Sequence, residues 1–171
     1  GLVGSEMCIR DRHRLNTIHS AFSLPLDEIH LMTLPPRHCH RLFEGYKHEE
    51  EMDFLMKQLI NLNQNRLYII GSNQMGTMIS LPSLLKKKTL SYQSVFLIDE
   101  EGSDLIDGGD YLCVTYRGNY EQSAYWGQQL AQYAHAHKFK IRGDLLEILW
   151  IDIHTTSDES EYITQLQLPI A

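Results

Sequence analysis

The segment from Asp144 to Ile153 constrains the fold most strongly, because it is almost wholly apolar and has one isolated carboxylate, Glu147, near its centre. Consecutive side chains of a β-strand point to opposite faces of the sheet. The face that carries Glu147 also carries Leu145, Leu149 and Ile151, and the other face carries Leu146, Ile148 and Trp150. Neither face suits solvent, so Glu147 is predicted to project into a largely apolar space.

A carboxylate in apolar surroundings is costly unless it gains a positive partner, a set of hydrogen bonds or a proton. Two interpretations of Glu147 follow. In the first, the carboxylate lies in a pocket that binds a cationic guest. In the second, a buried Arg or Tyr of the same domain satisfies it, as happens in many structural pairs.

Composition narrows the class of protein. The chain has 171 residues, which fits one domain with an ordinary core. Its net charge of −7 argues against binding a polyanion, which requires many Lys and Arg residues. The three cysteines, Cys8, Cys39 and Cys113, have no metal-binding or disulfide spacing, which indicates a reducing cytoplasm. Cys39 and Cys113 are expected inside strands as small apolar residues.

The chain divides into three parts. Residues 1–12 resemble a translated sequencing adapter and are left out of the fold prediction. Residues 13–25 are predicted to be a linker or the end of an upstream helix, which Pro25 terminates. Residues 26–171 are predicted to form the folded domain.

Periodicity predicts the elements of that domain. Strands are expected at 28–34, 37–43, 66–71, 75–81, 92–98, 110–117, 144–153 and 161–170, and helices at 48–63 and 120–137. The region around Cys39 overlays the region around Cys113 at an offset of 74 residues, which indicates an internal duplication. The predicted class is therefore α+β. Tandem β-α-β-β modules form one antiparallel sheet with two helices on one face and a ligand cleft on the other.

Five motifs carry a resemblance to a known family. They are Tyr92-Gln-Ser-Val-Phe96, the stretch from Gly109 to Gly118, the helix start at Tyr120-Glu121, Gly143-Asp-Leu-Leu-Glu147, and the final stretch from Glu161 to Ile170. Together they resemble the GyrI-like effector-binding domain of MerR-family and some AraC-family transcription regulators. That resemblance implies two β-α-β-β modules around a pocket for small cationic or amphipathic molecules.

The resemblance also implies which residues bind the ligand. Glu147 matches the position of a buried glutamate, and Tyr162 and Tyr116 match pocket aromatics, although Tyr116 also suits an ordinary core. Met75 and Tyr68 are expected to line the pocket in the first module. Met75 and Ile70 lie near where some relatives place pocket aromatics, which favours an adaptable apolar wall over an aromatic cage.

The sequence thus predicts a cytoplasmic sensor domain of a regulator that is a homodimer at full length. This fragment would lack the DNA-binding domain and make no direct contact with nucleic acid. No cofactor or metal is expected, since His38 and His40 share a strand face without a third ligand nearby. The alternative is a stand-alone GyrI-like protein that sequesters ligands, or a hydrolase in which Glu147 is the general base.

Overall fold

The computed structural model describes residues 23–42, 74–86, 90–151 and 156–171. Its strands are β1 (His30–Leu34), β2 (Arg37–Leu42), β3 (Met75–Ile79), β4 (Tyr92–Ile98), β5 (Asp104–Ile106), β6 (Gly109–Arg117), β7 (Leu145–Ile151) and β8 (Ile163–Ile170). Its helices are α1 (Leu81–Leu85) and α2 (Gln122–Ala136), and a 3-10 turn spans Glu159–Glu161. Within these residues no helix is long and apolar enough to cross a membrane.

All eight strands form one antiparallel sheet in the order β1-β6-β8-β7-β3-β4-β2-β5. The strands of the second half, β6, β8 and β7, mirror those of the first half, β2, β4 and β3, about the central β7–β3 pair. Each half also receives one strand from the other, since β1 pairs with β6 and β5 pairs with β2. The internal duplication therefore produces a pseudo-twofold sheet.

The sheet is curled into a half-barrel. Strands β2 and β8 are four strand spacings apart, which is about 19 Å in a flat sheet. Nevertheless, Arg37 of β2 donates a hydrogen bond from Nη1 to Oε1 of Gln167 on β8 at 2.8 Å. Two side chains meet across that span only if the sheet rolls up between them, so the face that carries Arg37 and Gln167 is concave.

Both faces of the sheet are buried. On the face that α1 and α2 cover, which we call the helix face, Leu145 and Leu149 pack with Leu130 and Ala134 of α2. On the concave face, Leu146 and Ile148 pack in a second cluster. The other buried members of that second cluster are Cys39, Phe96, Ile106, Tyr111 and Cys113. The predicted alternation of β7 is thus confirmed from Leu145 to Leu149.

The alternation fails at the end of β7. The register with β8 shifts between Leu149 and Ile151, so that Ile151 pairs with Ile163 and packs with it in a separate small cluster. The prediction that Ile151 shares a face with Glu147 did not allow for this irregularity, which adds a residue on one strand and changes the direction of the side chains beyond it.

The α+β class and the antiparallel sheet are confirmed, and β6, α2, β7 and β8 form the predicted second β-α-β-β module. The strand expected at 75–81 ends earlier, at Ile79. There Ser80 caps α1 by accepting a hydrogen bond from the Ser83 amide, and Pro82 lies in the first turn. The helix at 48–63 and the strand at 66–71 lie outside the described residues.

We expect Gly76→Ala to destabilise the fold by about 1–3 kcal/mol, because a new side chain there overpacks the core. A Cβ at this position of β3 would lie 2.6 Å from the Glu147 carbonyl oxygen and would also meet the Phe96 ring. Urea unfolding would measure the change. Gly143→Ala is the control, since its Cβ would lie 3.4 Å from Pro169 Cγ, an ordinary contact. Equal stability of the two variants would contradict this account of the sheet centre.

Candidate functional site

Glu147 lies at the centre of the sheet on strand β7. Its neighbours across the strands are Thr77 of β3 and Leu166 of β8. The side chain is completely buried. The sequence-based prediction of a carboxylate in an enclosed, largely apolar setting is therefore confirmed by its position.

Hydroxyl groups donate hydrogen bonds to both carboxylate oxygens of Glu147. Thr77 Oγ1 donates to Oε1 at 2.8 Å, and Ser123 Oγ donates to Oε2. The hydroxyl of Tyr116 lies 2.7 Å from Ser123 Oγ. Because the only hydroxyl hydrogen of Ser123 is used on Glu147, Tyr116 is the donor to Ser123. A directed chain thus runs from Tyr116 through Ser123 to the carboxylate, and each donor strengthens the next.

Ser123 places Glu147 on the helix face, because it belongs to the first turn of α2. The sequence prediction put the ligand cleft on the face opposite the helices, and it left open which face Glu147 takes. The carboxylate lies on the side that α2 covers. A site built around Glu147 is therefore enclosed between the sheet and α2.

Sequence reasoning missed Ser123 and Thr77. A signal for Ser123 exists, because it begins the buried stripe of α2. The other members of that stripe are Gly127, Leu130, Ala131 and Ala134. A hydroxyl on an otherwise apolar stripe indicates a buried polar partner. Gly127 explains the close approach of α2, since a Cβ there would lie 3.0 Å from Leu145 Cδ2.

Two predicted ligand residues lie in the row beside Glu147. Across four strands, Tyr116 pairs with Thr164, Thr164 with Leu149, and Leu149 with Met75. Tyr116 and Thr164 are fully buried, and Met75 is nearly so. The Oγ1 atom of Thr164 is buried without a hydrogen-bond partner in the structure. The surroundings of the carboxylate therefore combine apolar walls with hydroxyl groups.

Tyr162 immediately precedes β8 and lies near the start of α2. Its ring stacks on Tyr120, with ring centroids 5.3 Å apart and planes inclined by 25°. Glu147, Tyr116 and Met75 are thus brought together through the sheet register, and Tyr162 joins an aromatic pair beside the helix start. Tyr68 lies outside the described residues.

The histidine and cysteine residues of the repeat have ordinary environments. His40 Nε2 lies 2.9 Å from Asp99 Oδ2, while His38 is exposed. Among the described ranges no three potential ligands are grouped so that they could hold a metal ion. Burial raises the pKa of Cys113 to about 12 and also raises the pKa of Cys39. Both thiols are buried, as predicted from the repeat.

Solved structures provide the comparison for this fold. EcmrR, determined by cryo-EM in complex with DNA, superposes with a TM-score of 0.65 at 13% identity, covering 98% of this chain and 69% of that chain. The crystal structure of the EcmrR C-terminal domain gives 0.59 at 14% identity, covering 84% and 97%. This chain has the fold of the EcmrR C-terminal domain.

The same fold extends to proteins of other kinds. A hydrolase from Listeria innocua superposes with a TM-score of 0.51 at 10% identity, covering 89% of this chain and 96% of the hydrolase. No protein-family model and no curated protein sequence matches this chain. Function therefore has to be argued from the site and not from the fold.

We expect Ser123→Ala to lower the free energy of unfolding by about 1–3 kcal/mol, although alanine favours helices, because a buried oxygen of Glu147 loses its donor. Thermal or urea melts would measure the loss. The exposed Ser160, whose hydroxyl bonds Asp158, is the control, and Ser160→Ala should change stability by less than about 0.5 kcal/mol. Similar losses of stability at both positions would contradict a stabilising role for the hydrogen-bond chain from Tyr116 through Ser123 to Glu147.

Cys113 should resist thiol reagents in the folded protein. With a pKa near 12, on the order of one molecule in ten thousand carries the thiolate at pH 8. Since the folded pKa exceeds the ordinary value of 9.0, the associated stability is present below pH 9 and is lost as the pH rises toward 12. Colour release from a chromogenic disulfide would be slow for native protein and rapid in urea. Fast reaction of Cys113 in folded protein would contradict its placement.

Proposed function

We propose that this chain is the effector-binding domain of a bacterial transcription regulator and that its effector is a small organic cation or amphipathic molecule. The observation that carries the proposal is the fully buried carboxylate of Glu147, whose two oxygens both accept hydrogen bonds. An acceptor role at both oxygens suits the ionised form. A negative charge in that setting attracts a cation far more strongly than it does in water.

The surroundings favour a delocalised cation over a metal ion or an ammonium group. Tyr116 on the helix face and Tyr162, stacked on Tyr120 beside the start of α2, provide aromatic rings, and such rings attract cations through their quadrupole. Met75 is unbranched, so it can adapt to guests of different shape. The unpartnered hydroxyl of Thr164 adds a polar contact one row from the carboxylate. These features favour a guest with a positive charge and an apolar surface, and they place little restriction on its shape.

Binding at Glu147 requires the site to open. Glu147, Tyr116 and Thr164 are all fully buried, so a guest gains access only when a wall of the site moves. The ligand then selects the open conformation, and its apparent affinity is reduced by the small population of that state. An effector domain needs such a conformational difference, because a ligand alters an attached domain only through its unequal affinity for two states.

Two further observations support the regulatory context. The five sequence motifs resemble GyrI-like domains of MerR-type and AraC-type regulators, and the fold is that of the EcmrR C-terminal domain. Structures of EcmrR include a complex with DNA. In the proposed protein, a separate DNA-binding domain contacts the operator, and the full-length protein acts in the cytoplasm as a homodimer.

The alternative of a hydrolase has one observation in its favour, which is the fold shared with the Listeria innocua enzyme. A general base needs hydrogen-bond reach to a water beside the substrate. In this structure both oxygens of Glu147 already accept hydroxyl hydrogens in a completely buried setting. Because the same burial also limits a guest, the preference for binding rests on the resemblance of the sequence motifs to effector-binding domains.

Glu147→Gln tests the proposal, because it removes the charge and keeps the shape of the side chain. We expect the affinity for tetraphenylphosphonium, measured by titration calorimetry, to fall by about 1–3 kcal/mol, roughly 5- to 150-fold. Binding of the neutral triphenylphosphine oxide should change little. Glu121→Gln is the matched control, since it removes an exposed carboxylate at the start of α2.

Stability of the same variant provides the second measurement. If a buried cation of the chain is the true partner of Glu147, the substitution leaves that cation uncompensated and costs roughly 3–5 kcal/mol in a urea melt. With hydroxyl donors, which can rotate to accept from the new amide, we expect a smaller loss. Unchanged affinity for the cation together with a large loss of stability would contradict the proposed function.

A further inference from the structure

The concave face of the sheet, opposite the face that carries Glu147, holds a partly buried arginine, Arg37. Arg37 is the first residue of β2, and its side chain points to the concave face together with Cys39 and Arg41. Positive charge there is local, since the chain as a whole has a net charge of −7. This feature has no part in the proposed effector site.

The guanidinium of Arg37 is held in one orientation. Its Nη1 donates to Gln167 Oε1 at 2.8 Å, and Gln167 Nε2 donates in turn to Gln165 Oε1 at 2.8 Å. The second bond fixes which end of the Gln167 amide faces Arg37. The guanidinium carbon also lies 5.6 Å from the centre of the Tyr111 ring, a cation–π contact.

The remaining edge of the guanidinium is unused. Nε and Nη2 of Arg37 are both buried, and neither has a hydrogen-bond partner in the structure. These two nitrogens form the side-on fork whose parallel N–H groups match a carboxylate or phosphate in bidentate fashion. Burying such donors unpaired costs free energy that an oxyanion would restore.

The neighbouring cation is already committed elsewhere. Arg142 lies 4.9 Å from the same Tyr111 ring, but it donates to the carbonyl oxygens of Ile170, Gly108 and Asp110. Arg142 therefore ties the end of β8 to the start of β6. It leaves the Arg37 fork as the free pair of donors on this part of the described concave face.

We propose that the Nε and Nη2 atoms of Arg37 bind a small oxyanion, a carboxylate or a phosphate, at the concave face. The anion would take two parallel hydrogen bonds from Arg37 beside the Tyr111 ring, which Arg142 also contacts. The site is separate from Glu147, which lies on the helix face, so it is independent of the proposed function.

The Nε–H resonance of Arg37 in nitrogen-15 spectra of the 171-residue protein tests the proposal directly. Sodium acetate, sodium phosphate and sodium chloride are titrated at equal ionic strength. We expect a saturating shift with acetate or phosphate and at most a small shift with chloride, which offers no paired oxygens. The anion with the tighter saturation identifies the carboxylate or the phosphate as the ligand class.

Two substitutions provide a second test. An anion that binds the folded protein raises the midpoint of thermal unfolding, and this rise is compared between variants. Arg37→Lys keeps the charge and loses the fork, and Gln167→Glu supplies a carboxylate of the chain itself within reach of Arg37. Each should weaken the response to the preferred anion at least tenfold. Arg117→Lys, at an exposed arginine at the end of β6, should leave this response unchanged.

Several results would overturn the oxyanion site. A shift that follows ionic strength equally in all three salts would mean general screening, and the absence of any shift would mean that the fork is satisfied by water. A thermal response that persists undiminished in both Arg37→Lys and Gln167→Glu would place the anion elsewhere. If Arg37→Lys does not fold, the resonance titration and Gln167→Glu still decide the question.

Discussion

Two connections of two residues each determine the shape of this domain. Residues Pro35 and Pro36 join β1, at one edge of the sheet, to β2, which lies next to the other edge. Asp107 and Gly108 make the equivalent link between β5 and β6. Links so short cannot cross a flat sheet of eight strands, which is about 34 Å wide. The sheet must therefore curl until its two edges come close to each other, and the buried concave face follows from that curvature.

Closure of the sheet divides the polar groups between two enclosed spaces. On the helix face, the hydroxyl groups of Thr77 and Ser123 donate directly to Glu147, and the hydroxyl group of Tyr116 is linked to Glu147 through Ser123. On the concave face, amide groups of β8 hold the guanidinium of Arg37. Along β8, Leu166 faces the side of Glu147, and Gln165 and Gln167 face the side of Arg37. The thickness of the sheet therefore separates the two polar sites.

The sequence identified the elements of the second module and the buried position of Glu147, because a long apolar strand and a clear repeat are local patterns. It did not reveal the roll of the sheet. The alternation of Gln165 and Gln167 with leucines resembles a strand with a solvent face, yet both glutamines are more than nine-tenths buried. Only the contacts between strands distant in sequence enclose that face. The partners of Glu147 also remained hidden, since Ser123 and Thr77 reach it through tertiary packing of α2 and β3.

The two halves of the pseudo-twofold sheet differ in the side chains of their central strands. The axis passes between β3 and β7, and two identical halves would present any guest with two equivalent receptors facing each other. In this chain β7 contributes Glu147, whereas β3 consists of Met75, Gly76, Thr77, Met78 and Ile79 and has no acidic side chain. If the proposed effector binds here, a guest with one charged end would meet the carboxylate on one half and apolar side chains on the other, and it would bind in one orientation. The pseudo-twofold sheet would then provide the enclosure, and the different residues of β3 and β7 would give it a direction.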